Sequence, residues 1–89
     1  MTIFAVNSTN NPQELEKSIQ LKLSEQDYYK VDANFWLISP PENLVTPKEV
    51  SDFLSITNGG NGLAVVFLVT SYYGYHNQNV WAWLEAKRG

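Results

Sequence analysis

The stretch LAVVFLVTS, residues 63–71, is the most apolar in the chain, and its reading decides the fold. It is far too short for a bilayer, which asks for about 20 apolar helical residues. Its Val and Phe content, together with the loop residues TNGGNG at 57–62 before it, marks a strand. An apolar run without polar alternation is expected of a central strand, covered on both faces. The remaining elements must then supply its neighbours and its cover.

Just upstream, VTPKEV at 45–50 carries a helix start. Thr46 and Glu49 have capping-box spacing, Pro47 takes the first helical position, and Val45 and Val50 are spaced as a hydrophobic staple. Val50, Phe53 and Leu54 form the apolar face of that helix. Before it, YYKVDANFWLIS at 28–39 reads as a hairpin. Its strands run from Tyr28 to Val31 and from Phe35 to Ser39, around a turn at Asp32, Ala33 and Asn34, and Pro40 and Pro41 end the second. Further back, Asn11 as N-cap, Pro12 at the first position and Glu14 at the third predict a helix from Pro12 to about Ser24. Leu15, Ile19 and Leu23 make its buried stripe. Leu21 lies off that stripe, either as a lone surface leucine or as a contact with another chain. TIFAVNS at 2–8 is a first, mostly buried strand. Beyond the central run, NQNVWAWLEAKR at 77–88 reads as a helix whose Val80, Trp81 and Leu84 share one face. Trp83 points away from that face, and Lys87 and Arg88 meet the negative end of the helix dipole.

The order is β-α-β-β-α-β plus a final helix, an α+β class. It predicts a single ferredoxin-like domain over residues 1–89: an antiparallel four-stranded sheet, two helices on one face, and the other face left for the extra helix or a partner subunit. One domain is also what 89 residues allow.

Composition narrows the chemistry. The absence of cysteine excludes disulfides, thiolate nucleophiles and cysteine-bearing zinc sites, and a single histidine excludes multi-histidine metal centres. No cofactor is expected. Nine acids against six basic residues give a formal charge of −3, the wrong sign for a phosphate-binding surface, so nucleic acid is not an expected partner on charge. The beginning MTIFAVNSTNN has no basic leader, and the expectation is a cytoplasmic protein with no membrane partner.

The strand TIFAVNS, the hairpin end DANFWLIS, the helix TPKEVSDFL, the strand LAVVFLVT, Tyr72, Tyr73, Gly74 and Tyr75, and finally VWAWLEAK resemble the small SinR-like proteins, kin to the VapD ribonucleases and the small CRISPR-associated adaptation subunit. The resemblance spans nearly the whole chain through short motifs. It implies a ferredoxin-like homodimer and, in the nuclease branch, a divalent metal held at the dimer axis by an aspartate ending the first strand. Here that position is Asn7, followed by Ser8. A neutral amide oxygen is a weaker ligand for a hard cation, which puts metal-dependent hydrolysis in doubt. The expected function is therefore a non-catalytic interaction protein, a homodimer. The alternative is a toxin-like or adaptation-like ribonuclease, which would make nucleic acid a partner.

Each polar motif has a plain counterpart. His76 has the pKa of a general base, yet no acid stands near it before Glu85, and its plain role is a loop or cap side chain. Ser8, Thr9, Asn10 and Asn11 lead into a helix N-terminus, as an anion site or simply as its turn. Asn58, Gly59, Gly60, Asn61 and Gly62 lack the lysine and hydroxyl of a phosphate loop and precede a strand, so they read as a turn with positive φ. Asp27 with Asp32, and Glu49 with Asp52, are paired acids more in keeping with a solvated surface than with a catalytic dyad. Tyr72, Tyr73, Tyr75 and Trp81 would serve as a base-stacking platform only in a basic groove; otherwise they cap the core or meet another subunit.

Overall fold

Strand β1 (Ile3–Ser8) is the axis of the molecule, because its apolar residues are buried on both sides of the sheet. In the computed structural model, which describes residues 2–88, it is followed by helix α1 (Pro12–Lys22), a 3-10 turn at Glu25–Asp27, and strands β2 (Tyr28–Asp32) and β3 (Phe35–Ile38). Helix α2 (Pro47–Phe53), strand β4 (Ala64–Val69) and helix α3 (Gln78–Arg88) complete the chain. The architecture is mixed α+β, with a four-stranded sheet in the order β2-β3-β1-β4 and every neighbouring pair antiparallel. β3 separates β1 from β2, and β1 separates β3 from β4.

Alternation along the strands assigns the two faces. Phe4, Val6, Trp36 and Ile38 point to one side, where Leu15, Ile19 and Leu23 of the α1 stripe and Val50 and Leu54 of α2 close over them. Ile3, Ala5 and Leu37 point to the other side, beneath Val80 and Leu84 of α3. Trp36 is the largest fully buried side chain, and its indole N–H has no hydrogen-bond partner among the described residues. That omission costs about 1–3 kcal/mol, which the large apolar area of the ring offsets.

The helix starts differ in kind. Thr46 accepts from the Glu49 N–H at 3.2 Å, and Glu49 Oε1 accepts from the N–H groups of Thr46 and Val45, both at 3.0 Å, so the capping box forms as read. Of the two residues spaced as a staple, Val50 is buried and Val45 remains 55% exposed. At α1, Asn11 holds the cap position in a left-handed conformation, φ 52°, without a side-chain cap. Its carbonyl instead accepts from the Glu14 N–H at 3.2 Å. The hairpin turns at Ala33 and Asn34, with an irregularity between Lys30 and Asp32 that lengthens β2 by one residue over the expected span.

One expectation is reversed. β4 is an edge strand with β1 as its single neighbour; the central strands are β1 and β3. A continuous apolar run is buried only where both faces of the sheet are covered, and at this edge the helices leave both faces partly open. Leu63, Val65, Phe67 and Leu68 are consequently between 43% and 63% exposed.

Trp83 also departs from its expected place. It stacks at a tilt on Tyr29, centroids 6.4 Å apart, and its Nε1 donates to the Gln26 carbonyl at 3.2 Å. Lys87 reaches Asp27 at 2.9 Å, so the end of α3 is fastened to the turn before β2. The side chain of Arg88, expected at the helix dipole, lies outside what is described.

Candidate functional site

The edge of β4 and the loop after it form one continuous surface. Leu63 exchanges hydrogen bonds with the β1 side, its carbonyl accepting from the Thr9 N–H at 2.8 Å and its N–H donating to Asn10 Oδ1 at 2.6 Å. Antiparallel alternation then turns the backbone groups of Val65, Phe67 and Val69 toward β1, and those of Ala64, Val66 and Leu68 outward. On the α3 side of the sheet, Val65 and Phe67 lie beside Asn7 and Ala5. Helix α3 leans toward β2, where Tyr29 and Trp83 pack, and leaves Val65 and Phe67 half-uncovered. Across the edge, Leu68 and Val45 open onto a second hollow of about 530 Å³.

The aromatic tail flanks this strip. Tyr72, Tyr73, Tyr75, His76 and Trp81 line a groove of about 370 Å³ with Phe35, Leu37, Val69 and Leu84 at its floor and walls. The groove thus gathers five of the residues singled out from sequence. Tyr72 and Trp81 are half-buried, their rings 6.2 Å apart. Tyr73 and Tyr75 are 99% and 94% exposed, with Gly74 at φ 158° between them, so these two rings cap nothing within the protomer.

His76 holds the start of α3. Its Nδ1 accepts from the Asn77 N–H at 2.9 Å and its carbonyl accepts from Trp81 Nε1 at 3.2 Å, while Asn77 Oδ1 caps the helix by accepting from Val80 N–H at 3.2 Å. This is the loop-and-cap role of the sequence reading.

The other candidates lie elsewhere. Leu21 is 85% exposed on α1, the opposite side of the sheet from the groove, so the structure does not bring it to the tyrosines. Asn7 is exposed on the α3 side with Phe35 and Val65 as cross-strand partners. Ser8 is fully buried, and its hydroxyl donates to the Asn10 carbonyl at 2.6 Å. Asn7 and Ser8 therefore face opposite sides of the sheet and do not form a single polar site.

The turn at 8–11 and the glycine loop at 58–62 explain each other. Gly62, at φ 83°, lies so close to that turn that a Cβ there would stand 2.6 Å from Asn10 Oδ1 and 3.0 Å from Asn11 Cβ. Gly62 thus lets the two loops touch.

The carboxylates with perturbed acidity are structural. The Lys87 ammonium, with the Ser24 hydroxyl, holds Asp27 below its ordinary value. The Val45 N–H and the Thr46 hydroxyl lower Glu49, and the Thr57 hydroxyl and Lys48 lower Asp52. Among the described residues no three His, Asp or Glu side chains come together as a metal-ligand group.

The tyrosines that line the groove stand out in the sequence, whereas Val65, Phe67 and Leu68 read there as part of a central strand. Two signals were available. The element order itself puts the last strand at an edge, and the chain carries no Asp, Glu, Lys or Arg from Phe53 to Leu84. The chain matches no protein-family model and no curated protein sequence, so the geometry of this surface carries the functional reading.

Proposed function

We propose that this protein is a non-catalytic interaction protein that works as a homodimer on a ferredoxin-like sheet. One observation carries the reading: an uncharged surface, made of the half-exposed Val65 and Phe67 and the fully exposed Tyr73 and Tyr75, runs along one side of an otherwise charged chain. Exposed apolar area of this kind, with Tyr and Trp at its margin, is typical of protein interfaces. The paired split connections, β1 and β2 around β3 and β3 and β4 around β1, support the ferredoxin-like form. Kinship with the SinR-like proteins belongs to the same proposal and rests on the motifs quoted above. Against the ribonuclease alternative stands Asn7, a neutral amide whose cross-strand neighbours Phe35 and Val65 supply no carboxylate.

Size-exclusion with light scattering at high micromolar concentration tests the assembly. A companion incubation with labelled RNA and DNA, with and without magnesium or manganese, tests the chemistry. The expected result is a dimer that cleaves neither substrate. A monomer refutes the homodimer, and metal-stimulated cleavage abolished by Asn7→Ala refutes the non-catalytic reading.

A further inference from the structure

The two edges of the sheet are built differently. β2 carries Lys30 and Asp32, a register irregularity between them, and an ion pair from Lys30 to Glu16 at 3.1 Å. Charges and irregularities of this kind are how an edge strand is kept from pairing with another chain. β4, Ala64–Val69, has neither charge nor proline, and its pairing with β1 runs in unbroken register. Its outward N–H and C=O groups at Ala64, Val66 and Leu68 have exposed apolar side chains on both sides: Val65 and Phe67 on one face, Leu68 and Val45 on the other.

We infer that β4 pairs with β4 of a second copy, antiparallel about a two-fold axis at Val66, joining two sheets into one of eight strands. This rests on the homodimer reading and specifies its interface. The outward residues are Ala64, Val66 and Leu68, so the pairing that uses all of them sets Val66 opposite its own copy and Ala64 opposite Leu68. The same register sets Val65 opposite Phe67 twice over, so each half-exposed side chain on the α3 face meets the other. An isologous contact requires this self-complementarity. Charge is consistent with the same occupant. Each protomer carries −3, all of it outside residues 53–84, so two copies meeting along β4 bring together no like charges from that stretch. A strongly charged partner would find no counter-charge there.

Residue-resolved amide hydrogen exchange, run from low to high micromolar concentration alongside light scattering, reads this directly. The amides of Ala64, Val66 and Leu68 lack a partner strand in the protomer and gain one in the paired form. Their exchange should slow at least about tenfold as the dimer fills, because exchange then waits for dissociation. A dimer in which these amides still exchange at the monomer rate overturns the edge pairing while the homodimer stands. A monomer at every concentration overturns both. Leu68→Pro supplies a second arm: it deletes an outward N–H that β1 does not use, a position where an edge strand accepts proline. It should remain folded by circular dichroism and become monomeric; a folded Leu68→Pro that still dimerises overturns the proposal, and if it does not fold the exchange measurement decides.

Discussion

Gly62 and Gly59 have nearly the same backbone conformation, φ 83° and 80°, but different surroundings, and alanine at each separates strain from contact. A left-handed conformation costs a non-glycine residue about 1–2 kcal/mol, and both variants bear that. At Gly59 a Cβ meets nothing within 4 Å, so the cost ends there. At Gly62 it would stand 2.6 Å from Asn10 Oδ1, closer than real Cβ atoms come, and something must move. The atom most easily displaced is that amide oxygen, which holds the Leu63 N–H at the start of β4. Losing this hydrogen bond adds about 0.5–1.5 kcal/mol, and displacing the backbone carbonyl of Asn10, at 3.0 Å, adds more. Gly62→Ala should therefore cost about 2–4 kcal/mol and Gly59→Ala about 1–2 kcal/mol. Urea unfolding at a concentration where the protein is monomeric measures both. Equal midpoints for the two variants would refute the packing of the glycine loop against the turn at 8–11.

Trp81→Ala and Trp83→Ala should destabilise by similar amounts, each about 2–3 kcal/mol and short of the range for a fully buried tryptophan, since both rings are half-buried and both indole N–H groups bond a carbonyl. Denaturant midpoints that leave Trp83→Ala harmless would contradict the stacking on Tyr29. Thr46→Ala removes the side-chain half of the capping box and should cost about 1 kcal/mol by the same assay. Asp27 has a folded pKa below its unfolded value of roughly 4, so its contribution is fully present above that pH and is lost as pH falls through the folded value. Thermal midpoints of the wild type should fall below about pH 4, and those of Asp27→Asn should start lower at pH 7 and fall less steeply. A wild type and variant with parallel acid profiles would contradict the Lys87 contact.

Local signals fixed most elements, because their physics is local. Thr46, Pro47 and Glu49 specify a helix start within four residues, and Asp32 to Asn34 specify a turn within three. The hydrophobic stripe Leu15, Ile19 and Leu23 likewise needs no information from elsewhere in the chain. What was not legible depends on distant neighbours. Whether AVVFLV is central or peripheral is set by which strands lie beside it, and its composition is the same in either case. Trp83 was misjudged because helical phase describes one packing direction, whereas α3 meets both the sheet and the turn at Glu25–Asp27. The groove followed the same division: the aromatic cluster was visible in SYYGYH, while its floor at Phe35 and Leu37 comes from a strand some forty residues earlier.

Sedimentation equilibrium of the wild type beside Phe67→Asp reads whether the uncharged surface along β4 seats a second copy of the chain. Phe67 is 53% exposed and lies on the open part of the α3 face, so the substitution is expected to spare the fold while setting a carboxylate opposite the apolar Val65 of the second copy, twice over, in the dimer. The wild type should approach twice its 10.1 kDa mass at high micromolar concentration, and Phe67→Asp should stay at 10.1 kDa. A wild type that remains at 10.1 kDa throughout, or a Phe67→Asp variant that dimerises as well as the wild type, would contradict that seating.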